Sequence, residues 1–514
     1  MPTATDSSSA TRNPACAVPD RLLELWGELR DLKSLAELLD WDQETMMPRG
    51  GSENRAKMAA SLAGAIHQKL TSERLWETIL ACEEEARSAG DELLTAQVRE
   101  AKRDASRARR IPESLAKELA EASSLGTTAW QEARKGSDFG MFAGHLQRLL
   151  SLAKQKAAAL HPAGKAYDAL LDGFEPGATE EQLVPLFDHL VAELSPWVQQ
   201  VVESGRRVDE SPVLGKFAKA KQRELSRHAI SAFGFDFDRG RLDLSVHPFC
   251  VGVTPTDVRL TWRYLENDLR SALYGALHEA GHGLYEQGIP EELWRTPLGD
   301  AVSLGVHESQ SRLWENQVGR SIGFWRWLWP KFAELFPGQA AKTSPESVWP
   351  ALHTVRPSLV RVEADEATYN LHIALRFRIE RALFANDLAV ADLPSAWNDA
   401  CEELLGVRPD RDADGVLQDI HWSQALFGYF PTYTLGTMVS AQLFQAAQES
   451  LGPQDGAFAD GDFAPLLAWL RKHVHRHGRR YGASQLVEQV TGRPLAADDL
   501  LEYLQASVAR AYGL

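Results

Sequence analysis

Residues 22–39, LLELWGELRDLKSLAELL, place Leu22, Leu25, Trp26, Leu29, Leu32, Leu35 and Leu39 three or four positions apart. On a helix that spacing gathers them on one face, and Pro48-Arg49-Gly50-Gly51 then stops the run. Ser52 starts a second helix, and amphipathic stretches of the same period continue to about Leu160. Thr179-Glu180-Glu181-Gln182 is a capping box that opens a further helix through Leu183, Leu186 and Leu190. Between Phe235 and Tyr264 the period changes to two. Leu242, Leu244 and Val246, then Val258, Leu260 and Trp262, alternate with polar residues, which predicts two or three short strands. Helical patterning returns from there to Leu514. The expected fold is therefore mainly α, with one small β-sheet near the middle of the chain.

Composition narrows the function classes. The chain has 514 residues, 55 of them basic and 71 acidic, for a net charge of −16. With 44% hydrophobic and 25% charged residues it is ordinary globular material. The acidic balance excludes a nucleic-acid surface, and the basic stretch Arg99 to Arg110 is read as a solvated helix face. An acidic protein also repels anionic ligands, so any such ligand needs a local positive anchor. Cys16, Cys82, Cys250 and Cys401 have no framework spacing and read as reduced thiols. Residues 1–19 are expected to form a disordered tail rather than a secretory signal, and residues 20–514 a single domain with soft internal boundaries. No run of about 18 apolar residues occurs; even Phe324 to Trp329 contains Arg326. No membrane contact and a cytoplasmic location are expected.

Leu277-His278-Glu279-Ala280-Gly281-His282 contains HExxH, inside a helix predicted from about Asp268 to a stop at Gly288 and Pro290. Residues four apart on a helix differ by about 40°, so both imidazoles face one way and can share a zinc ion. Glu279 stands beside them, placed to take a proton from water whose pKa zinc lowers toward about 7. The chance occurrence of HExxH in such a chain is on the order of a few per cent. A third ligand is still required. No third His follows at the metzincin spacing, since the residue six past His282 is Gly288. Glu286, Glu308 and Glu315 are the carboxylate candidates, with Glu286 crowded on the same helix. Glu308 lies 26 residues beyond His282, room for a loop and a return helix, and spacing favours it only slightly over Glu315.

Several ordered segments carry a resemblance that spans almost the whole chain. They are His247-Pro248-Phe249, Asp257-x-Arg259-x-Thr261, HEAGH at 278–282, His307-Glu308-Ser309-Gln310, VRVEAD containing Arg361 to Asp365, Gly415-x-x-Gln418-Asp419-x-His421-Trp422, and GYFPTYTLG at 428–436. WDQETMMP, YDALLDGFEPG and HGRRYG accompany them. Together they resemble the carboxypeptidase Taq family of zinc carboxypeptidases. The resemblance implies His278, His282 and Glu308 as zinc ligands, one zinc per subunit with cobalt as a substitute, and Glu279 as general base. It further implies release of single residues from peptide C-termini, with broad tolerance and poor handling of proline, and a homodimer. Arg361 matches the family's anchor for the terminal carboxylate, and His421 and Tyr433 fall on positions near the substrate. Val360 stands where the family more often has Ile.

Other residues keep two readings. His247 either orients the sheet edge or touches substrate. Asp257 and Arg259 face the same way on a strand and read as a structural ion pair. Asp365 reads as a group orienting a ligand or an arginine. His473, His475 and His477 would scatter around a helix axis, which argues against a second metal tract. The expected enzyme thus closes helical halves around a deep groove. Its rivals are an oligoendopeptidase on a similar helical zinc scaffold and a non-catalytic interaction protein with a chance HExxH.

Overall fold

The computed structural model describes residues 17–514. The expected tail falls outside these up to residue 16, and residues 17–19 already belong to the first helix, Ala17–Thr45. Its apolar face is used unevenly. Leu22, Trp26 and Leu29 are buried with the helices Glu73–Ala89 and Glu92–Arg110, whereas Leu35 is exposed. The following helix, Ser52–Thr71, buries none of its residues. The capping box is present: Thr179 Oγ1 accepts from the Gln182 N–H, and Gln182 Oε1 accepts from the Thr179 N–H.

The basic stretch is not a solvated face. Arg103 and Arg107 bind Asp172, Arg109 binds Glu73 at 2.7 Å, and Arg110 donates to the Leu160 carbonyl at 2.9 Å. Asp104 accepts both Nη atoms of Arg479 at 2.8 and 3.0 Å. Guanidinium groups with five donors each can bridge between elements in this way, so the stretch ties the N-terminal helices to distant parts of the chain.

The sheet has three strands, β1 (Gly240–Leu244), β2 (Cys250–Thr254) and β3 (Asp257–Trp262), in the order β1-β3-β2. β1 runs parallel and β2 antiparallel to β3, with Leu242 opposite Leu260. Val258, Leu260 and Trp262 are buried, as their alternation predicts. Leu244 and Val246 are exposed instead, and Asp243 is buried with the Arg241 guanidinium on it at 2.5 and 2.9 Å. An edge strand has no second layer to bury every alternate residue.

Two large cores flank the middle of the protein. One gathers residues from 115–201, 355–441 and 497–508; the other gathers the sheet, the HExxH helix and residues 302–352 and 439–487. The helix Pro431–Leu451 belongs to both, giving Leu435, Met438 and Ala441 to the first and Val439, Leu443 and Ala446 to the second. Cys82, Cys250 and Cys401 are free thiols. Among the described residues no helix is long and apolar enough to cross a membrane.

Within the first core, Glu380 accepts from Tyr167 Oη at 2.7 Å, Trp422 Nε1 at 2.7 Å and the Gly428 N–H at 2.9 Å. Burial nevertheless raises its carboxyl from 4.5 to about 7. The folded chain therefore holds an extra proton between those values, a contribution present below the unfolded pKa and lost as pH rises through about 7. Urea unfolding at pH 5 and pH 8 is expected to show native protein losing on the order of 1–3 kcal/mol more stability than Glu380→Gln. Equal losses in the two proteins would remove Glu380 from this account.

Candidate active site

The HExxH helix runs Leu269–Glu286, with the Asp268 carboxylate accepting from the Arg270 N–H at its start. His278 and His282, one turn apart, set their rings edge to face at 4.9 Å. Glu308 arrives on the helix Leu304–Arg312. That helix is capped by Ser303 Oγ, and the buried carboxylate of Glu175 accepts from the Gly305 N–H at 3.0 Å. The two helices meet without a side chain between them, because a Cβ on Gly281 would stand 2.4 Å from the Gln310 carbonyl oxygen. On the other side, a Cβ on Gly436 would stand 2.5 Å from Glu308 Cγ. Glycine is therefore required at both positions.

Glu308 Oε2 lies 3.5 Å from His278 Nε2 and 3.4 Å from His282 Nε2. Ligands about 2.0–2.1 Å from a tetrahedral zinc are separated by about 3.3–3.4 Å. The three residues thus form a donor set with the spacing a small divalent ion needs, all ligand atoms within 4.8 Å of one another. Their orientation is fixed from behind. Glu315 Oε2 is 2.9 Å from His278 Nδ1, and the His307 carbonyl is 3.1 Å from His282 Nδ1, leaving both Nε2 atoms for a metal. Arg312 Nε donates to Glu308 Oε1 at 2.7 Å and its Nη1 to Glu315 Oε2 at 3.2 Å. Glu315 sits in a π-helical stretch, Leu313–Val318, that continues the Glu308 helix; such irregular turns recur at functional sites.

Burial and mutual charge pull the titrations of this cluster apart. Burial opposes protonation of His278, yet Glu308 and Glu315 raise it to about 9. Burial, with His307 nearby, lowers His282 to about 3. Burial raises Glu279 to about 7, a shift that His278 partly offsets. Glu315 shows the opposite balance: burial disfavours its charge, but Arg312 and His278 hold it down to about 2.

A second cluster adjoins the first through aromatic rings. Arg361 donates from Nε and Nη2 to Asp419 Oδ1 at 3.0 and 2.8 Å, and from Nη1 to Tyr369 Oη at 3.1 Å. Its guanidinium lies 5.1 Å from the Tyr433 ring centroid, while Arg312 covers Tyr369 at 4.6 Å. Gln418 Oε1 accepts from the Arg361 N–H at 2.8 Å, so neighbouring residues fix its backbone and its head. His421 Nε2 is 3.2 Å from Tyr433 Oη, and burial lowers His421 to about 4, which keeps the imidazole neutral. Burial raises the Tyr433 phenol well above its usual value, so it remains a hydrogen-bond donor.

His278, Glu279, His282, Glu308, Arg361, His421 and Tyr433 are thus assembled in two adjoining clusters. Three other expected residues lie elsewhere. His247 is exposed in the turn after β1, where its carbonyl accepts from Ser245 Oγ. Arg259 forms the predicted pair with Asp257 at 2.8 and 2.9 Å and stacks on Trp41 at 4.2 Å. Asp365 orients neither a ligand nor an arginine head: it accepts from the N–H groups of Arg356, Ala367 and Thr368 and shapes its own loop. Glu286 pairs with His307 at 2.8 Å, and Glu315 acts behind His278. His475 is buried, with its Nε2 2.9 Å from Gln310 Oε1. Sequence reasoning passed over Arg312, Tyr369 and Glu175. The four-residue step from Glu308 to Arg312 was the signal for the first; the others are joined only by the fold.

Chelator competition should report these supports directly. Glu315→Gln is expected to weaken metal binding by about 10–100-fold, because the His278 ring loses its charged partner. Gly436→Ala should weaken it by a similar order by displacing Glu308. Unchanged affinity in both would mean that the ligand set does not depend on these contacts.

The carboxypeptidase Taq (M32) metallopeptidase model matches residues 21–508. Thermostable carboxypeptidase 1 of Thermus thermophilus is 46% identical over 97% of this chain and 99% of its own length. Carboxypeptidase 1 of Bacillus subtilis is 41% identical over 92% and 95%. The crystal structure of the M32 carboxypeptidase from Deinococcus radiodurans superposes with a TM-score of 0.93 at 40% identity, covering 97% of this chain and all of that one. With an HExxH helix, a matching carboxylate and that likeness along nearly its full length, the chain belongs to the carboxypeptidase Taq family and is a metallocarboxypeptidase.

Proposed function

We propose that the protein uses zinc, held by His278, His282 and Glu308, to release single residues from peptide C-termini, with Glu279 as general base. The spacing of the three donor atoms suits a small divalent ion such as zinc, while cobalt as a substitute and one ion per subunit follow from the family resemblance. Broad side-chain tolerance, poor handling of proline, a homodimer and a cytoplasmic location complete the reading. So does one catalytic unit over residues 20–514. These last points rest on the family resemblance.

A divalent ion in this donor set would supply Lewis acidity, acidifying water and polarising a carbonyl. The chain's own groups do the rest. Glu279 is buried beside the two imidazoles, where its carboxylate can accept a proton from the attacking water. It then returns that proton to the leaving nitrogen. The Tyr433 phenol, 3.2 Å from neutral His421, can donate to the developing oxyanion. Arg361 seats the terminal carboxylate, and the Tyr369 and Tyr433 rings lie between it and the Glu308–Arg312 pair.

Glu279→Gln should retain its metal and lose about 10²–10⁴-fold in kcat on N-blocked peptides; full activity would sink its role as base. Arg361→Ala should lose activity chiefly on free-acid peptides and less on C-terminally amidated ones. Internal cleavage of amidated peptides by the native enzyme would instead favour an oligoendopeptidase. Mass spectrometry of products from one unblocked peptide separates stepwise release from internal cuts.

A further inference from the structure

Arg376, on the helix Tyr369–Ala385, is completely buried. Its Nε donates to Asp419 Oδ2 at 2.7 Å, its Nη2 lies 2.5 Å from the same oxygen, and its Nη1 donates to the His372 carbonyl at 2.7 Å. Its guanidinium packs over Trp397 at 4.6 Å and near Phe430 at 5.5 Å. It has no open side toward a ligand. Asp419 is therefore shared: Oδ1 serves Arg361 and Oδ2 serves Arg376.

Two guanidinium groups thus face one carboxylate. The neighbouring imidazoles add no charge, since burial lowers His372 to about 3 and His421 to about 4. The next acid, Glu380, is hydrogen-bonded by Tyr167, Trp422 and Gly428 and not by either arginine. Arg376 acts on it only through space, and burial outweighs that pull and raises its carboxyl to about 7. A buried charge left in excess is costly, so such a cluster is completed by an anion. The excess reaches a ligand only through Arg361. Of its five N–H donors, Asp419 takes two and Tyr369 one, which leaves one hydrogen on Nη1 and one on Nη2. Those two donors remain for an anionic ligand, and a carboxylate has two oxygens to take them.

We propose that Arg376 is a positioning residue for the substrate's terminal carboxylate. By drawing Asp419 Oδ2 to itself, it confines Asp419 to one edge of Arg361 and keeps the cluster one negative charge short. This inference rests on the reading of Arg361 as the carboxylate anchor. Without Arg376, Asp419 neutralises Arg361 and competes with the peptide end. Preference for a free C-terminus is then set partly by a residue that never touches substrate.

Steady-state kinetics of the zinc-loaded enzyme on an N-blocked dipeptide acid test this, with its C-terminal amide as a competing inhibitor. Arg376→Met should raise KM by about tenfold or more, with kcat within about threefold and the amide's inhibition constant unchanged. Arg376→Met/Asp419→Asn removes both members of the pair and should return KM to within about threefold of the native value. A fall in kcat at constant KM, a parallel shift in the amide's constant, or a double variant no better than the single one overturns the proposal. If thermal unfolding shows that Arg376→Met does not fold, the double variant decides alone. A near-native KM supports the proposal, and a KM as high as that of Arg361→Ala overturns it. A native KM in Arg361→Ala itself would instead remove the anchor reading.

Discussion

A methyl group on Gly281 would meet the Gln310 carbonyl oxygen at 2.4 Å, and one on Gly436 would meet Glu308 at 2.5 Å. Three helices, Leu269–Glu286, Leu304–Arg312 and Pro431–Leu451, therefore press together around one carboxylate with nothing larger than hydrogen at the contacts. The metal site depends on that approach. Two histidines one turn apart fix only two ligand directions, and the third must come from a separate element at a distance set to a few tenths of an ångström. Backbone-to-backbone contact sets it more rigidly than side-chain packing could, because a backbone has fewer ways to give. The Pro431–Leu451 helix also belongs to both large cores, so it is supported from both sides.

Charge is organised along the same line. From Glu308 the path runs through Arg312 to the Tyr369 ring, and from the Tyr369 hydroxyl to Arg361 and Asp419. Each buried ion on it has a partner of opposite sign, as burial demands. The aromatic rings stand between the Glu308–Arg312 pair and Arg361 and offer both guanidinium groups a weakly attractive face. A displacement at either end would be felt at the other through Tyr369.

Much of this could be read from residue order. The period of the helices, the change of period at the sheet, the HExxH helix and its stop signals all follow from local rules that act within a few residues. The choice between Glu308 and Glu315 did not. Seven residues apart, they fall on nearly the same face of a regular helix. Only the π-helical stretch and the Gly436 contact set the carboxylate that faces both Nε2 atoms apart from the one behind His278. Leu244 and Leu35 lie in the strand and helix their spacing predicts yet are exposed, because alternation and helical spacing mark a potential apolar face, not what lies against it. The basic stretch failed for a similar reason: the partner of Arg107 is Asp172 and that of Asp104 is Arg479, pairings across 65 and 375 residues. Asp365 was misassigned because a carboxylate bound by backbone N–H groups looks, in sequence, like one that orients a side chain.

The net charge of −16 poses a problem that the buried arginines resolve. Surface carboxylates repel an anionic peptide end, but salt screens that repulsion within about 8–10 Å. A charge held under rings and away from water is screened far less. The acidic surface would therefore act on encounter, while the positive charge left when Arg361 and Arg376 share Asp419 would, on the proposed reading, act at contact. A protein can be acidic overall and still select for carboxylates, provided that the selecting charge is single, buried and open at one end. That requirement is local, and it explains why composition excluded nucleic acid readily yet said nothing about which anion the protein holds.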